Sequence, residues 1–303
     1  MANIYSAFNL NWHSEKLEIS ELNQNISRKK SDISIINQSP ANWPEINPSI
    51  GDTSFLKMNK NELRLEIENI GIFRATNGNQ ISWHKNDKYV NDKDIKTFLL
   101  GSMFGAILIQ RDLIVMHGNA LEKNGRCIVC LGFSGSGKST LAYALLQKGW
   151  KFLSDDIVAI TNDGYVLEGI PRLKLWEDSI NAFGINKEDL PRVRNNLNKF
   201  IYRPESHMIS KNKIKISSFY LINRFQKKYI ESKSKYIEKI NDEKIKLLFL
   251  RNNLYRARFY RGLEKEGNVF LKLVKLQKDI PVSVLNLPNK IKLLHKWLGN
   301  VEL

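Results

Sequence analysis

The stretch CLGFSGSGKST, Cys130 to Thr140, restricts what this chain can fold into more than any other. Its spacing is G-x-x-x-x-G-K-[ST], with Gly132, Gly137, Lys138 and Ser139 in the fixed places and Phe133, Ser134, Gly135 and Ser136 between them. Glycines let successive backbone N–H groups converge on phosphate oxygens, and the positive end of a following helix faces the same charge. Such a loop must sit between a strand and a helix, and both are legible. RCIVC, ending at Cys130, is an apolar run that predicts a buried strand. STLAYALLQKG places Leu141, Ala144, Leu145 and Lys148 at helical spacing, with Gly149 as a stop. In that setting Lys138 reaches the β and γ phosphates and the Ser139 hydroxyl holds Mg²⁺. The loop by itself implies a nucleotide's phosphates and Mg²⁺, with the residues from Gly132 to Thr140 as the phosphate cradle, and leaves GTPases, ATPases and kinases open.

A second signal follows directly. In GWKFLSDDIVAITNDGYVLEG the run Trp150 to Leu153 predicts a strand that delivers Asp155 and Asp156 at its C-terminal end, where α/β sheets place their chemistry. Two adjacent acids allow two jobs: one carboxylate near the metal, the other accepting a proton from an attacking hydroxyl. The next residues form an apolar run, an Asn162-Asp163-Gly164 turn and another run, a hairpin signal that departs from a plain doubly wound nucleotide kinase. Upstream, LIVM and the Lys123-Asn124-Gly125-Arg126 turn also predict strand and hairpin, with His117 between them. That histidine is either structural or turned toward the phosphates. Asn186-Lys187-Glu188-Asp189 matches a guanine-reading N-K-x-D, but it follows the phosphate loop by only about 50 residues, reads as a turn entering a short helix, and no D-x-x-G precedes it. A GTPase is not the expected reading.

Composition sets the outer limits. A chain of 303 residues, 42% hydrophobic, can bury a substantial core as one large or two ordinary domains. No uninterrupted apolar run is long enough to span a membrane, and MANIYSAFNLNWHSEK lacks the pattern of a signal peptide, so a cytoplasmic location is expected. Cys127 and Cys130 lie in one apolar strand and point to opposite faces, which suits packing rather than a disulfide or metal site. The net charge of +16 is carried mostly by scattered lysines, densest in SKNKIKIS (210–217) and FQKKYIESKSKYIEK (225–239). These are solvated faces or a groove for an acidic partner; neither a membrane nor nucleic acid is the expected partner. A homo-oligomer stays open.

Taken together, MHGNALEKNGRCIVCLGFSGSGKSTLAYALLQKGWKFLSDDIVAI closely resembles the catalytic domain of HPr kinase/phosphorylase, in its His117-Gly118 pair, phosphate loop, Lys148-Gly149 turn and Asp-Asp pair. The resemblance implies an α/β fold: a P-loop kinase core of the HPr kinase / phosphoenolpyruvate carboxykinase type, with the catalytic domain over 98–303. Ahead of it, alternating segments such as ELRLEIENI and FRATNGNQISWHK predict a small β-rich N-terminal domain over 1–97. The resemblance also implies that Asp155 is the general base, Asp156 its acidic neighbour near the metal, and His117 an accessory group. Two features depart from the bifunctional enzymes. Thr140 stands where they have Glu, and LEGIPRLKLWEDS (167–179) replaces their second signature. That segment, with YSAFNLNWHSEKLEISEL (5–22) and FLLGSMFGAILIQRDLIVMHGNAL (98–121), looks like the branch encoded with ribosomally made peptides, including lasso-peptide kinases that phosphorylate a precursor's C-terminal serine.

The expected activity is transfer of the γ-phosphate from ATP to a serine hydroxyl on a peptide or protein. A kinase acting on a small molecule such as free serine, and a nucleotide-dependent binding protein without catalysis, remain as alternatives. A further cation is needed for transition-state charge, and Arg172, Lys199 and Arg203 are the candidates. In the C-terminal part, EKIKLLFLRNNLYRARFYRGL predicts one long helix, NVFLKLVKLQK another, IPVSVLNL a strand and NKIKLLHKWL a closing helix.

Overall fold

The computed structural model describes residues 3–25, 30–46, 53–194, 197–211, 213–224 and 236–303. Most of the basic cluster at 225–239 lies outside them. The chain forms a mixed α/β fold of two units: Met1–Val115 with Tyr255–Lys272, and Met116–Leu254 with Leu273–Leu303. A single cut between residues 97 and 98 therefore differs from the contacts in two ways. The helical segments Asp92–Phe98 and Phe104–Gln110 belong together with the N-terminal sheet, and so does the C-terminal helix Ala257–Gly262. Chain proximity could not reveal this, because the Tyr260 hydroxyl that accepts the Val115 N–H (2.7 Å) lies 145 residues away.

The first unit is built on an eight-stranded sheet, in the order Asn23–Gln24, Asn3–Ala7, Leu10–Ser14, Ile33–Asn37, Gln80–Lys85, Gly71–Thr76, Glu62–Ile67 and Leu56–Asn59. Alternation sets its faces: in Ile33–Asn37, Ile33 and Ile35 are buried while Ser34 and Ile36 are less so. Trp12 stacks on Phe104 with ring centroids 3.7 Å apart. Glu62 accepts from both Arg74 Nε and Nη2, each at 2.8 Å, and also pairs with Arg64; both arginines lie over the Trp43 ring.

The second unit has a nine-stranded sheet whose centre is the phosphate-loop strand Arg126–Leu131, parallel to Ile214–Arg224, which in turn runs parallel to Val282–Leu287. On the other side of the loop strand lie Gly118–Lys123 and then the acid-bearing strand Lys151–Asp155, both added antiparallel. The turn Asn124-Gly125 has both residues left-handed, as a two-residue hairpin requires. The loop helix, Lys138–Leu146, covers this sheet by burying Leu141, Ala142, Leu145 and Leu146 against Leu121, Ile128, Cys130, Phe152 and Ile222. Burial at this level contributes roughly 1.5–3 kcal/mol per large side chain, which fixes the helix start relative to the strand ends.

Two further differences from the sequence reading have clear physical causes. The long helix expected from Glu243 to Leu263 breaks into Glu243–Asn252 and Ala257–Gly262, because Arg256 adopts a left-handed φ of 46°. The closing helix is shorter than the periodicity predicts: a 3₁₀ turn, Ile291–Leu293, followed by Leu294–Leu298. The strands Ile214–Arg224 and Val282–Leu287 agree with their expected positions. The Asn186 motif is the exposed cap of a 3₁₀ turn, Lys187–Asp189.

Candidate active site

A cavity of about 410 Å³ opens above the C-terminal ends of the loop strand and the acid strand. Of the residues singled out in the sequence, it brings together His117, Ser134, Gly135, Gly137, Lys138, Ser139, Thr140, Asp155 and Asp156. Gly132, Phe133 and Ser136 belong to the loop but not to the cavity wall, and Phe133 is 85% exposed. Among the three candidate cations, Lys199 lines the cavity. Arg172 is buried and, like Arg203, lies outside the lining.

Local backbone chemistry places each group. Gly137 caps the loop helix with a φ of 100°, a left-handed conformation that glycine adopts without strain, and so turns the helix N-terminus into the loop. The Lys138 ammonium donates to the carbonyls of Gly132 (2.6 Å) and Phe133 (3.0 Å), arching the loop over its own side chain. Burial pushes the Lys138 ammonium below its usual range, while Asp155 and then Asp156 pull it back up. Gly118 explains its pairing with His117: a Cβ there would stand 2.5 Å from the Cys130 carbonyl oxygen, so only glycine lets the two strands close.

Asp155 ends the acid strand. Its Oδ1 accepts from the Ser139 hydroxyl at 3.2 Å and its Oδ2 from the Lys174 backbone N–H at 3.0 Å. Both donors are neutral, and among the described residues Asp155 makes no ion pair. Burial raises its carboxyl above the ordinary value, although the Lys174 N–H opposes that rise. Asp156 turns the chain with a left-handed φ of 72° and meets a different fate. Its Oδ2 accepts from Lys174 Nζ at 2.6 Å, and its Oδ1 lies 3.4 Å from His117 Nδ1. Burial alone would raise the Asp156 carboxyl, but the Lys174 ammonium and His117 hold it well below the carboxylate range.

The donor set suits a hard cation. A hydroxyl beside a half-buried carboxylate that makes no ion pair among the described residues is the kind of oxygen pair that would hold Mg²⁺ together with phosphate oxygens. Among the described residues there is no cluster of three or more His, Cys, Asp or Glu, as a closed transition-metal site would need.

Sequence reasoning missed two residues here. Lys174 sits on the short strand Leu173–Trp176 and engages both carboxylates, one through its N–H and the other through its side chain. Its alternation with Trp176, which also faces the cavity, was a usable strand signal. Asn253 follows the helix Glu243–Asn252; its Oδ1 accepts the Gly132 N–H and its carbonyl the His117 N–H, both at 2.8 Å. No local pattern marks that residue, which lies 121 positions beyond Gly132.

No protein-family model and no curated protein matches the sequence. Among solved structures, the chain is similar to the Hpr(Ser) kinase/phosphatase from Coxiella burnetii, with 14% identity over 61% of this chain and 94% of that chain and a TM-score of 0.28. That overlay carries no argument, and function has to be read from the cavity's own residues. No described helix is long and apolar enough to cross a membrane.

Proposed function

We propose that this protein is an ATP- and Mg²⁺-dependent kinase that transfers the γ-phosphate to a serine hydroxyl, on a peptide or protein. The observation that carries the proposal is the division of labour between the two adjacent carboxylates. Asp155 accepts from the loop hydroxyl of Ser139 and makes no ion pair among the described residues; Asp156 is paired with Lys174 and stands beside His117. Ser139 and Asp155 are the residues suited to hold Mg²⁺, which when bound supplies charge neutralisation for the β and γ phosphates. Asp156 is then the carboxylate left to accept the acceptor's proton, the reverse of the assignment that the sequence resemblance implies.

In this reading the chain works by position and charge. Backbone N–H groups at the start of the loop helix and the Lys138 ammonium bind the phosphate oxygens. Asp156, held ionised, orients the serine hydroxyl in line with the phosphoryl group and takes its proton; base strength matters little because the transition state for phosphoryl transfer is loose. Lys199, one of the three cations the sequence offered, and Lys174, which it did not, add the positive charge in place of Arg172 and Arg203. The sequence resemblance to the branch acting on ribosomally made precursor peptides supports a peptide serine as acceptor.

The test supplies γ-labelled ATP and Mg²⁺ with precursor-like peptides ending in serine, free serine and an HPr-type protein, and locates the label by mass spectrometry. Label on a peptide serine is expected. Label on free serine alone makes the protein a metabolite kinase, and no label on any acceptor overturns the reading.

A further inference from the structure

Beneath the carboxylate that faces Ser139 lies a polar group with no evident employment. Asn119 is the second residue of Gly118–Lys123, and it stands opposite Cys130 on one side and Asp155 on the other. Both pairings are antiparallel, and residues directly opposite share a face of the sheet. Asn119 therefore points to the side where Cys130 packs with the loop helix and where Asp155 meets Ser139. Its exposure is 0%, and among the described residues neither Oδ1 nor Nδ2 has a hydrogen-bond partner. The adjoining Ala120 and Leu121 are equally buried and apolar. An unpaired carboxamide there costs free energy that a leucine of nearly the same shape would not.

We infer that Asn119 is a positioning residue for the metal-side carboxylate: its amide orients Asp155, directly or through a bridging water, when Mg²⁺ and nucleotide bind. This inference rests on the kinase reading only in taking Ser139 and Asp155 as the metal-side pair. An amide suits the place because it offers a donor to a carboxylate oxygen and an acceptor to a metal-bound water, without adding charge. Leucine could fill the volume but do neither.

The experiment is Mn²⁺ binding, followed by electron paramagnetic resonance on protein saturated with ADP, for the parent chain and Asn119→Leu. Nucleotide affinity without metal and thermal unfolding without ligand are measured alongside. The expected result is a Mn²⁺ dissociation constant raised about 10- to 100-fold, the usual range for loss of an outer-shell ligand partner. Metal-free ADP affinity should stay within about twofold, and the unliganded variant should unfold at the same temperature as the parent or higher. Should Asn119→Leu fail to fold, Asn119→Ser removes the amide without adding bulk and is read the same way. Mn²⁺ affinity unchanged in a folded variant overturns the inference while leaving the kinase reading standing. A parent chain that binds Mn²⁺–ADP yet transfers no phosphate overturns the kinase reading alone, and a parent that binds no Mn²⁺ overturns both.

Discussion

Two charged clusters, one in each unit, make an instructive contrast. In the first unit Glu62 takes two arginines, and those arginines spread over the Trp43 ring. Every charge there is answered, and burial of Glu62 is outweighed by Arg74 and Arg64, which keep its carboxyl below the ordinary value. In the second unit the carboxylates are treated unequally: Asp156 is answered by Lys174, whereas Asp155 has only neutral donors. A fully compensated cluster has no charge left for a ligand to satisfy. The incompletely compensated one leaves a carboxylate without an ion pair, which is why the proposed chemistry is assigned there.

The contrast breaks most sharply if Lys138→Ala, which removes the loop cation, leaves activity intact. Phosphate transfer should fall by about three orders of magnitude or more in the labelled-ATP assay, with the fold retained by circular dichroism. Next in size, the two acids should fail differently. Asp156→Asn should cut turnover by about 10²- to 10⁴-fold while Mg²⁺–nucleotide affinity is kept. Asp155→Asn should instead raise the Mg²⁺ concentration needed for half-maximal rate, and should stabilise the metal-free protein against heat. The sign follows from the raised Asp155 carboxyl: its contribution to stability is present at low pH and is lost as pH rises from the unfolded value of 3.8 toward the folded one. Identical behaviour of the two variants would erase the distinction between the carboxylates.

A smaller and opposite effect is expected in the first unit. Glu62→Gln should destabilise that unit by about 1–3 kcal/mol in a urea melt while leaving the rate of transfer unchanged. Glu62 titrates below its ordinary 4.5, so its contribution is present above that pH and fades as pH falls through the folded value. The parent should lose stability on acidification in that window, and the variant should lose less. Smallest of all, Asn186→Ala should change transfer less than twofold, since it removes only the cap of an exposed turn. A large loss would revive the guanine-reading interpretation.

How far the sequence could be read depended on how local each signal was. The phosphate loop, its strand and its helix span about 20 consecutive residues, and the glycine spacing and apolar periodicity there report on neighbours along the chain. The acid strand and the Asn124-Gly125 hairpin were legible for the same reason. Lys174 was overlooked in favour of Arg172 because choosing between two cations two residues apart requires knowing which neighbours the short strand meets. Asn253 and Asn119 carried no local signal at all: one acts through hydrogen bonds to residues more than 100 positions away, and the other is unusual only because folding buries it unpaired.

The sequence by itself determined that a glycine loop would stand between a buried strand and a helix, that two acids would follow at a strand end, and that the N-terminal region would be rich in strands. These depend on φ preferences, side-chain periodicity and the charge of adjacent groups, all of them properties of short segments. Tertiary structure alone decided which carboxylate meets Ser139 and which meets Lys174, where the long C-terminal helix breaks, and that Tyr255–Lys272 groups with the N-terminal unit. Those outcomes depend on desolvation and on contacts across large sequence separations, for which the linear order of residues carries no local mark.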